Sequence, residues 1–295
     1  MAKQDMKQVV TDAIVSALEG GVAPWVKGWT GGAGQMPYNG ESKRKYSGLN
    51  VLWLKMVASM KGYETHEWYT FKGAQKLGGT VRKGEKATSV FFTKWNEVRD
   101  ENDELIKTYP IMLTYYVFNR AQIDGLPEAE QEAEMPEKDR HARADSLIKA
   151  TGAEISYGSD RACYIPSLDS IQLPNIEQFT HESEFYSTSF HELMHWTGSE
   201  DRLSRNINNP FGSDAYAFEE LVAELGAAFV CAELGVEGKL QHAEYIGSWI
   251  KVLRSDKTAI FRASALAAKA ADYITAFESA EVEDAWEAFF ERNAA

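Results

Sequence analysis

The sequence His191-Glu192-Leu193-Met194-His195 places two imidazoles four residues apart, with a carboxylate beside the first. Residues four apart lie on one face of a helix, so His191 and His195 can bind a single divalent metal ion. Such an ion lowers the pKa of a coordinated water towards 7, and Glu192 can accept the proton as that water attacks a carbonyl. The motif therefore predicts a hydrolytic metal centre with Glu192 as the catalytic base.

A second predicted helix supplies the third metal ligand. Its apolar residues recur at helical spacing between the candidate caps Asp214 and Gly235. Glu220 and Glu224 are four residues apart on this helix and share a face. We predict Glu220 as the ligand and Glu224 as the acceptor of the free ring N–H of a ligand histidine. Glu224 and Glu219 remain alternatives for the ligand itself.

The pattern H-E-x-x-H followed by E-x-x-A-acidic, here Glu220 to Glu224, resembles the gluzincin branch of zinc metallopeptidases. The resemblance implies that the divalent metal is zinc. An oxyanion donor is not fixed by any motif, and Tyr164, Tyr216 and Arg202 are all candidates. His181 lies at the polar start of the motif helix, where capping is favoured over metal binding.

Residues 162–174 precede the motif helix and have the pattern of two short strands around a turn. In a zincin, such a strand forms the upper rim of the cleft. An extended peptide can then add to its free edge. We therefore expect the rim of the predicted metal cleft in this segment.

The composition is typical of a globular protein. The 295 residues include 44 % hydrophobic and 25 % charged residues, with a formal net charge of −13. Two cysteines, Cys163 and Cys231, exclude a disulfide framework. The first 20 residues predict an amphipathic helix ending at Gly20, rather than a signal peptide or a membrane span. We expect a cytoplasmic protein with no membrane partner.

Positive charge is concentrated early in the chain. Residues 1–125 hold 17 Lys+Arg and 13 Asp+Glu, a net of +4, whereas the other 170 residues hold 14 and 31, a net of −17. Residues 43–94 contain 11 basic and 3 acidic residues. Folding does not require this concentration in an acidic protein, so it indicates a nucleic-acid-binding surface. A merely solvated basic face is the alternative.

Aromatic residues are interleaved with these cations, a pattern typical of proteins that bind single-stranded nucleic acid by stacking and phosphate contacts. Phe91 and Phe92 lie in a strand-like apolar run and are predicted to be core residues. No Walker motif or zinc-finger spacing is present, so nothing indicates nucleotide hydrolysis or major-groove recognition. We predict DNA binding by the aromatics Trp25, Trp29, Tyr38 and Tyr46 and by the cations Lys43, Arg44, Lys45, Arg82, Lys83 and Lys86.

An acidic, proline-flanked segment without apolar periodicity, residues 126–138, predicts a domain linker. Before it, strand-like segments at 87–95 and 109–118 flank an acidic stretch, which predicts a hairpin with a long solvated loop. The predicted fold class is α+β, in two domains. Residues 1–125 form an α+β nucleic-acid-binding domain, and residues 139–295 form a mainly helical domain with a small β-sheet.

A set of short motifs spans both halves of the chain. They include Pro24-Trp25, Tyr46-Ser-Gly-Leu-Asn50, Trp68-Tyr-Thr-Phe-Lys72, Leu77-Gly-Gly-Thr-Val-Arg-Lys-Gly-Glu85, His191-Glu-Leu-Met-His-Trp-Thr-Gly198 and Glu219-Glu-Leu-Val-Ala-Glu224. Together they resemble the ArdC-type antirestriction proteins of conjugative plasmids, over nearly the whole chain. The resemblance implies an N-terminal domain that binds single-stranded DNA and a C-terminal zincin-like metallopeptidase domain. It also implies protection of incoming plasmid DNA, with a host restriction enzyme or another protein as a candidate substrate.

Two functions fit these observations. In the first, a metallopeptidase recruited to DNA cleaves or disables a host protein. In the second, the chain coats single strands or occludes the restriction enzyme, and the metal only stabilises the fold. Glu192 favours the first, because a structural metal site usually closes with Cys or His ligands and has no use for a base beside an open position.

Overall fold

The computed structural model describes residues 5–25, 36–129, 135–237 and 243–278. None of the described helices is both long enough and apolar enough to span a bilayer. The elements in chain order are α1 (Met6–Glu19), β1 (Tyr38–Asn39), α2 (Leu49–Lys61), β2 (Glu67–Tyr69), α3 (Phe71–Lys76), β3 (Thr80–Val81), β4 (Thr88–Arg99), β5 (Leu105–Asn119), β6 (Ile123–Asp124), α4 (Glu137–Ala150), β7 (Glu154–Tyr157), β8 (Cys163–Ile165), β9 (Ser170–Leu173), α5 (Glu182–Trp196), α6 (Asp214–Leu234), α7 (Ile246–Ser255) and α8 (Ala259–Ala276).

The chain forms two compact units, and the predicted α+β organisation in two domains is confirmed. One unit is residues 37–131; the other, called here the two-segment unit, joins residues 1–36 to residues 132–295. The N-terminal helix thus differs from prediction. It forms as expected and ends at Gly20, but it packs on α7 of the two-segment unit. Its Thr11 hydroxyl donates to the Lys257 carbonyl at 3.0 Å.

The 37–131 unit is built on a four-stranded sheet in the order β1-β2-β5-β4, with β1 parallel to β2 and the other pairs antiparallel. Helix α2 packs against β4. Its apolar run buries Val51, Leu52 and Leu54 completely, and Trp68 and Val90 of the sheet are each 1 % exposed. Burial of this run stabilises the sheet on one side.

The hairpin of β4 and β5 is longer than predicted. Strand pairing continues from Thr88↔Val117 as far as Arg99↔Leu105, so most of the expected loop is strand. The turn is confined to a few residues, where the Asp100 carboxylate accepts the backbone N–H of Asn102 and of Glu104, each at 2.9 Å. Backbone pairing therefore extends well past the point at which the apolar pattern ends, because ladder hydrogen bonds do not require buried side chains.

The two helices that carry the candidate metal ligands lie in the core of the two-segment unit. Helix α6 packs against both α5 and α8, and its side chains from Leu221 to Ala232 are buried all round. Gly226 allows the close approach of α5, because a Cβ atom built at this position would lie 2.4 Å from the Met194 sulfur. This approach brings the N-terminal half of α6 to the His191 face of α5.

The small sheet of this unit has the order β7-β9-β8. The two strands predicted within residues 162–174 are confirmed as β8 and β9, and β7 adds a parallel strand that was not predicted. The capping residue of α6 is Ser213 rather than Asp214, since the Ser213 hydroxyl accepts the Tyr216 N–H at 3.1 Å. Gly235 ends the helix as predicted, with φ of 70°.

Candidate metal centre and nucleic-acid interface

The two histidines of the H-E-x-x-H motif converge on one point. They lie on the same face of α5, and their Nε2 atoms are 3.2 Å apart. His191 is 1 % exposed, because α6 covers this face of the helix. Two imidazole nitrogens at this distance can share one ion.

Glu220 completes the predicted ligand set. One carboxylate oxygen lies 3.4 Å from His191 Nε2 and the other lies 3.6 Å from His195 Nε2. Donor atoms about 2.0–2.1 Å from a tetrahedral ion are about 3.3 Å from one another, which matches these separations. Within the described chain, these three residues form the one group of His, Cys, Asp or Glu side chains arranged to hold a metal. The donor set therefore fits a divalent ion.

Two other acidic residues of α6, Glu219 and Glu224, lie behind the histidines. Glu224 Oε1 is 3.8 Å from His191 Nδ1, and Glu219 Oε1 is 3.5 Å from His195 Nδ1. Each carboxylate thus faces the ring nitrogen that points away from the ligand cluster. The geometry supports Glu220, rather than Glu219 or Glu224, as the third ligand.

Arg205 holds Glu219 in this position, a contact that the sequence did not reveal. Its guanidinium donates to the Glu219 carboxylate at 2.8 Å and to the Thr197 hydroxyl at 2.8 Å. It also donates to the Met194 carbonyl at 2.6 Å, near the end of α5. Because Arg205 lies in the loop between the two helices, periodicity could not have predicted its role.

The protonation states in the metal-free protein follow from this packing. Burial lowers the pKa of His191 below its ordinary value. Burial also opposes the charge of His195, but Glu219 and Glu220 outweigh it and raise the pKa of His195 to about 10. Burial would raise the pKa of Glu220, yet its contacts with the two imidazoles hold that pKa far below the usual range. Glu220 is therefore a carboxylate, as a ligand must be.

Glu192 lies at the wall of the cleft, where β8 orients it. Its side chain is 4 % exposed, and its Oε2 accepts the backbone N–H of Tyr164 at 2.7 Å. Since Tyr164 is in the edge strand of the small sheet, the sheet fixes the carboxylate beside the ligand histidines. The cleft has a volume of about 230 Å³ and is lined by residues of β8, α5 and α6, including Tyr164, Glu192 and Tyr216.

Two of the three candidate oxyanion donors, Tyr164 and Arg202, share Asp169 as a partner, and Tyr216 does not. The Tyr164 hydroxyl donates to Asp169 at 2.8 Å, and Arg202 also donates to Asp169, at 3.1 Å, while lying 3.9 Å above the Trp196 ring. Tyr216 lines the cleft, and burial, a hydrogen bond with Tyr245 and the nearby Glu220 raise its pKa. It therefore stays protonated and able to donate.

His181 is not part of the ligand cluster. It occupies the N-cap position of α5, but its side chain makes no capping hydrogen bond. The position agrees with the prediction of a helix start, whereas the predicted capping contact does not form.

The structure places two of the predicted stacking aromatics in the core, which corrects their assignment. Trp25 is 1 % exposed and packs edge-on against Trp249 of α7, with ring centroids 5.5 Å apart. Tyr46 is 7 % exposed and lies beside Phe92, at 6.5 Å. Neither ring has a free face on which a base can stack, and Trp25 belongs to the two-segment unit. Trp29 lies outside the described residues.

Tyr38 is half-buried and tied to a buried acidic residue. Its hydroxyl donates to Glu67 at 2.7 Å, and Glu67 also accepts from Tyr69 at 2.9 Å and from Arg120 at 2.7 Å. The Lys43 ammonium lies 5.5 Å from the Tyr38 ring centroid and 3.7 Å from Glu67. Tyr38 therefore anchors a structural network rather than offering a free stacking surface.

The predicted phosphate-binding cations are exposed, with one difference among them. Lys43, Arg44 and Lys45 form an exposed turn, in which Lys43 has φ of 59°. Lys83 and Lys86 are also exposed. Arg82, by contrast, forms ion pairs with Glu85 at 3.2 Å and Asp124 at 3.3 Å, which neutralise its charge.

Comparison with known families divides the chain in two. Residues 4–137 match the family described as the N-terminal domain of the anti-restriction factor ArdC, and residues 142–266 match the zincin-like metallopeptidase family. The second match contains the whole ligand cluster.

Solved structures and curated relatives match over most of the chain. Two crystal structures of the antirestriction protein ArdC from plasmid R388 each match with a TM-score of 0.78. The metal-free structure is 38 % identical, and the match covers 93 % of this chain and 98 % of ArdC. The Mn(II)-bound structure is 37 % identical, and the match covers 94 % of this chain and 100 % of ArdC. Protein y4eC of Sinorhizobium fredii is 36 % identical, with 93 % of each chain aligned. Two DNA primases TraC of Escherichia coli are 39 % and 37 % identical over 96 % of this chain, which spans only 20 % and 28 % of their length.

Proposed function

Because this chain belongs to the ArdC family of antirestriction proteins, we propose that it binds single-stranded DNA, protects incoming conjugative plasmid DNA from host restriction and hydrolyses a protein substrate at a zinc centre. The observation that carries the catalytic part is the convergence of His191, His195 and Glu220 beside Glu192. The R388 protein has a Mn(II)-bound structure, and this supports binding of a divalent ion by the present chain. The match to primases named TraC supports a role in DNA metabolism.

The residues of the cleft have distinct roles in the proposed reaction. His191, His195 and Glu220 would hold zinc, which supplies a Lewis acid and makes water a better nucleophile at neutral pH. Glu192 accepts the proton of the attacking water, and the Tyr164 N–H keeps its carboxylate in place, with a hydrogen bond of 2.7 Å. Tyr216, protonated and facing the cleft, donates to the oxyanion that develops on the substrate carbonyl.

The edge of β8 that faces the cleft is the proposed binding site for an extended peptide, apart from the Tyr164 N–H, which already donates to Glu192. Among the strands that the structure describes, β8 pairs with β9 alone, through Cys163↔Gln172 to Ile165↔Ser170. A peptide added to the other side would lie along the cleft that contains Glu192. The substrate is thus a protein segment in extended conformation, such as an exposed loop of a host restriction enzyme.

The proposed peptidase activity is tested with Glu192→Gln. This variant retains the three ligands, so we expect it to bind zinc with unchanged stoichiometry and to lose hydrolysis of an unfolded protein substrate, because the proton acceptor is gone. His191→Ala is the matched variant that loses both metal and activity. Metal analysis and a proteolysis assay measure the two quantities. Hydrolysis by Glu192→Gln at the wild-type rate would contradict the proposed role.

A second candidate function is a DNA-binding or occluding protein whose metal site is not proteolytic. The primase relatives favour it, since the corresponding region there is part of a much longer protein named for a reaction on nucleic acid. A conjugation assay against a restricting host separates the two. Loss of protection in Glu192→Gln supports the peptidase; full protection by this variant supports the second function.

A further inference from the structure

The β4–β5 hairpin exposes an unusual number of aromatic side chains. Phe92, predicted to be a core residue, is instead 46 % exposed. Clusters of exposed large apolar residues on a soluble protein mark interaction sites. The other exposed aromatics of the hairpin are Trp95 at 60 %, Tyr109 at 42 %, Tyr115 at 49 % and Tyr116 at 54 %.

The strand register separates these side chains into two faces, because residues directly opposite in an antiparallel pair share a face. The pairs Phe92↔Leu113, Lys94↔Ile111, Asn96↔Tyr109, Val98↔Lys107 and Val90↔Tyr115 define what we call the basic face. It holds three exposed aromatics and two lysines, and no acidic residue. The other face carries Trp95, Tyr116 and Glu97, whose carboxylate accepts from Arg99 at 2.7 Å.

The centre of the basic face is a pair of rings. Phe92 and Tyr115 pack edge-to-face, with centroids 5.6 Å apart and an interplanar angle of 79°. About half of each side chain is exposed, while Tyr46 supports Phe92 from the core at 6.5 Å. A perpendicular pair presents one ring face and one ring edge to the same planar ligand. The pair is thus both accessible and supported from behind.

Helix α2 fixes the backbone beside this pair. Strand β4 is at the edge of the sheet, and the Asn50 side chain pairs with its backbone at Phe91. The Asn50 amide donates to the Phe91 carbonyl at 2.7 Å, and its oxygen accepts the Phe91 N–H at 2.8 Å. Asn50 therefore acts as a positioning residue for the neighbouring Phe92. A preorganised ring loses less entropy when a ligand stacks on it.

The charges around the rings select an anionic ligand. Lys94 and Lys107 are exposed on the basic face, and the exposed turn of residues 43–45 directly precedes Tyr46, which contacts Phe92. Residues 37–131 contain 14 Lys+Arg and 12 Asp+Glu, a net of +2 in a chain whose net charge is −13. A ligand with both planar groups and negative charges fits this surface. Duplex DNA does not, because its base faces are stacked inside the helix.

We infer that the basic face of the hairpin is the surface that holds single-stranded DNA, with bases stacked on Phe92 and Tyr115 and phosphates at Lys94, Lys107 and the turn of residues 43–45. The inference rests on the proposed DNA-binding function and replaces Trp25 and Tyr46 as the stacking residues. It assigns the stacking to residues whose rings are exposed, as base stacking requires.

The experiment measures the affinity of the full chain for a fluorescently labelled oligothymidine by anisotropy. Phe92→Leu and Tyr115→Leu keep an apolar side chain but remove the ring. We expect each to weaken binding roughly 5- to 150-fold, the range that loss of one stacked base gives. Trp95→Leu and Tyr116→Leu are the matched controls on the other face, and their affinity should stay within about twofold of wild type.

Salt dependence provides a second, independent measurement. Lys94→Gln and Lys107→Gln should each reduce the slope of log affinity against log salt by about 0.7, since each removes one phosphate contact with a single strand. The leucine variants should leave that slope unchanged. Phe92→Trp keeps an aromatic ring at this position and should bind within about twofold of wild type. Binding by this variant would show that the ring is what Phe92→Leu lacks.

The outcomes separate the inference from the function on which it rests. If the wild-type chain binds the oligonucleotide but Phe92→Leu and Tyr115→Leu bind equally well, the assigned surface is wrong and the proposed function stands. A large loss in Trp95→Leu or Tyr116→Leu alone also overturns the assignment, because it locates binding on the other face. No binding by the wild-type chain overturns the proposed DNA-binding function itself.

Discussion

Each ligand histidine has a carboxylate behind it, and the Arg205–Glu219 contact makes the one behind His195 the more rigid. Carboxylates in this position fix the tautomer and orientation of the ring. Glu219→Gln should therefore weaken zinc binding by about 10- to 100-fold while leaving the three ligands in place. Competition with a chromophoric chelator measures the affinity. Glu200→Gln, an exposed change beyond the end of α5, is the control, and equal affinity in both variants would contradict the assigned role.

A single histidine makes the 37–131 unit sensitive to acid. Burial, followed by the nearby Lys55 charge, lowers the pKa of His66 from 6.5 to about 4. The imidazole of His66 therefore binds a proton more readily in the unfolded chain than in the folded one. The stability that the neutral imidazole allows is fully present above pH 6.5 and is lost as the pH falls towards 4. We expect the free energy of unfolding to drop by up to about 3 kcal/mol over this interval. Urea denaturation at several pH values measures it, and His66→Gln should flatten the dependence.

At the residue scale, the sequence predicted those site residues whose positions depend on the local geometry of a helix. His191 and His195 follow from helical spacing, because four residues span about one turn, whereas the spacing on α6 left Glu219 and Glu224 as alternatives to Glu220. Trp25 and Arg205 do not follow from spacing, since their environments come from distant or irregular parts of the chain. A Gly-rich, polar sequence around Trp25 could not reveal that Trp249 would cover its ring.

At the scale of elements, the contact between α2 and β4 makes a sharp prediction. Asn50→Ala leaves the backbone groups of Phe91 without the two hydrogen bonds that the amide supplies, in a buried position. We expect a loss of about 2–3 kcal/mol in the stability of the 37–131 unit, because unsatisfied buried polar groups are costly. Asn50→Asp keeps the acceptor for the Phe91 N–H but sets a buried carboxylate oxygen against the Phe91 carbonyl, so it should also lose stability at neutral pH. Chemical denaturation followed by circular dichroism compares the variants, and a stability for Asn50→Ala equal to wild type would contradict the prediction.

The hairpin shows what a sequence pattern can and cannot predict about an element. The apolar residues of its two strands predicted the strands themselves. They did not predict the order of the strands in the sheet or the register in which they pair. The acidic stretch between them favoured a loop, yet the backbone pairs as far as Arg99↔Leu105. Long-range pairing decides the length of such strands, and the exposed face that results is visible only once the register is known.

At the scale of the whole molecule, a substitution of Trp25 tests whether this residue contributes to stability or to DNA binding. It is 1 % exposed and packs on Trp249 in the two-segment unit. Trp25→Ala should therefore destabilise that unit by about 3–5 kcal/mol, as the loss of a buried aromatic side chain does. Its affinity for single-stranded DNA should stay within about twofold of wild type. Thermal unfolding and anisotropy measure the two effects, and weakened DNA binding with unchanged stability would restore the original assignment.

Metal removal tests whether DNA binding depends on the candidate metal centre. The candidate ligands lie in the two-segment unit, and the assigned DNA surface lies in residues 37–131. Incubation with EDTA, followed by dialysis, should remove a bound divalent ion and leave the affinity for oligothymidine within about twofold. A loss of DNA binding that added zinc restores would show that the two sites depend on each other.

The packing of α1 on α7 also determines an order of events during translation. Trp25 and Trp249 are separated by 224 positions in the chain. At about 5–20 residues per second, a ribosome needs roughly 11–45 s to synthesise that interval. The partner strands and helices of residues 37–131 emerge well before Trp249 does, so this unit can fold on the nascent chain while α1 has no surface to cover its apolar stripe. During those seconds the apolar stripe of α1 stays exposed on the nascent chain.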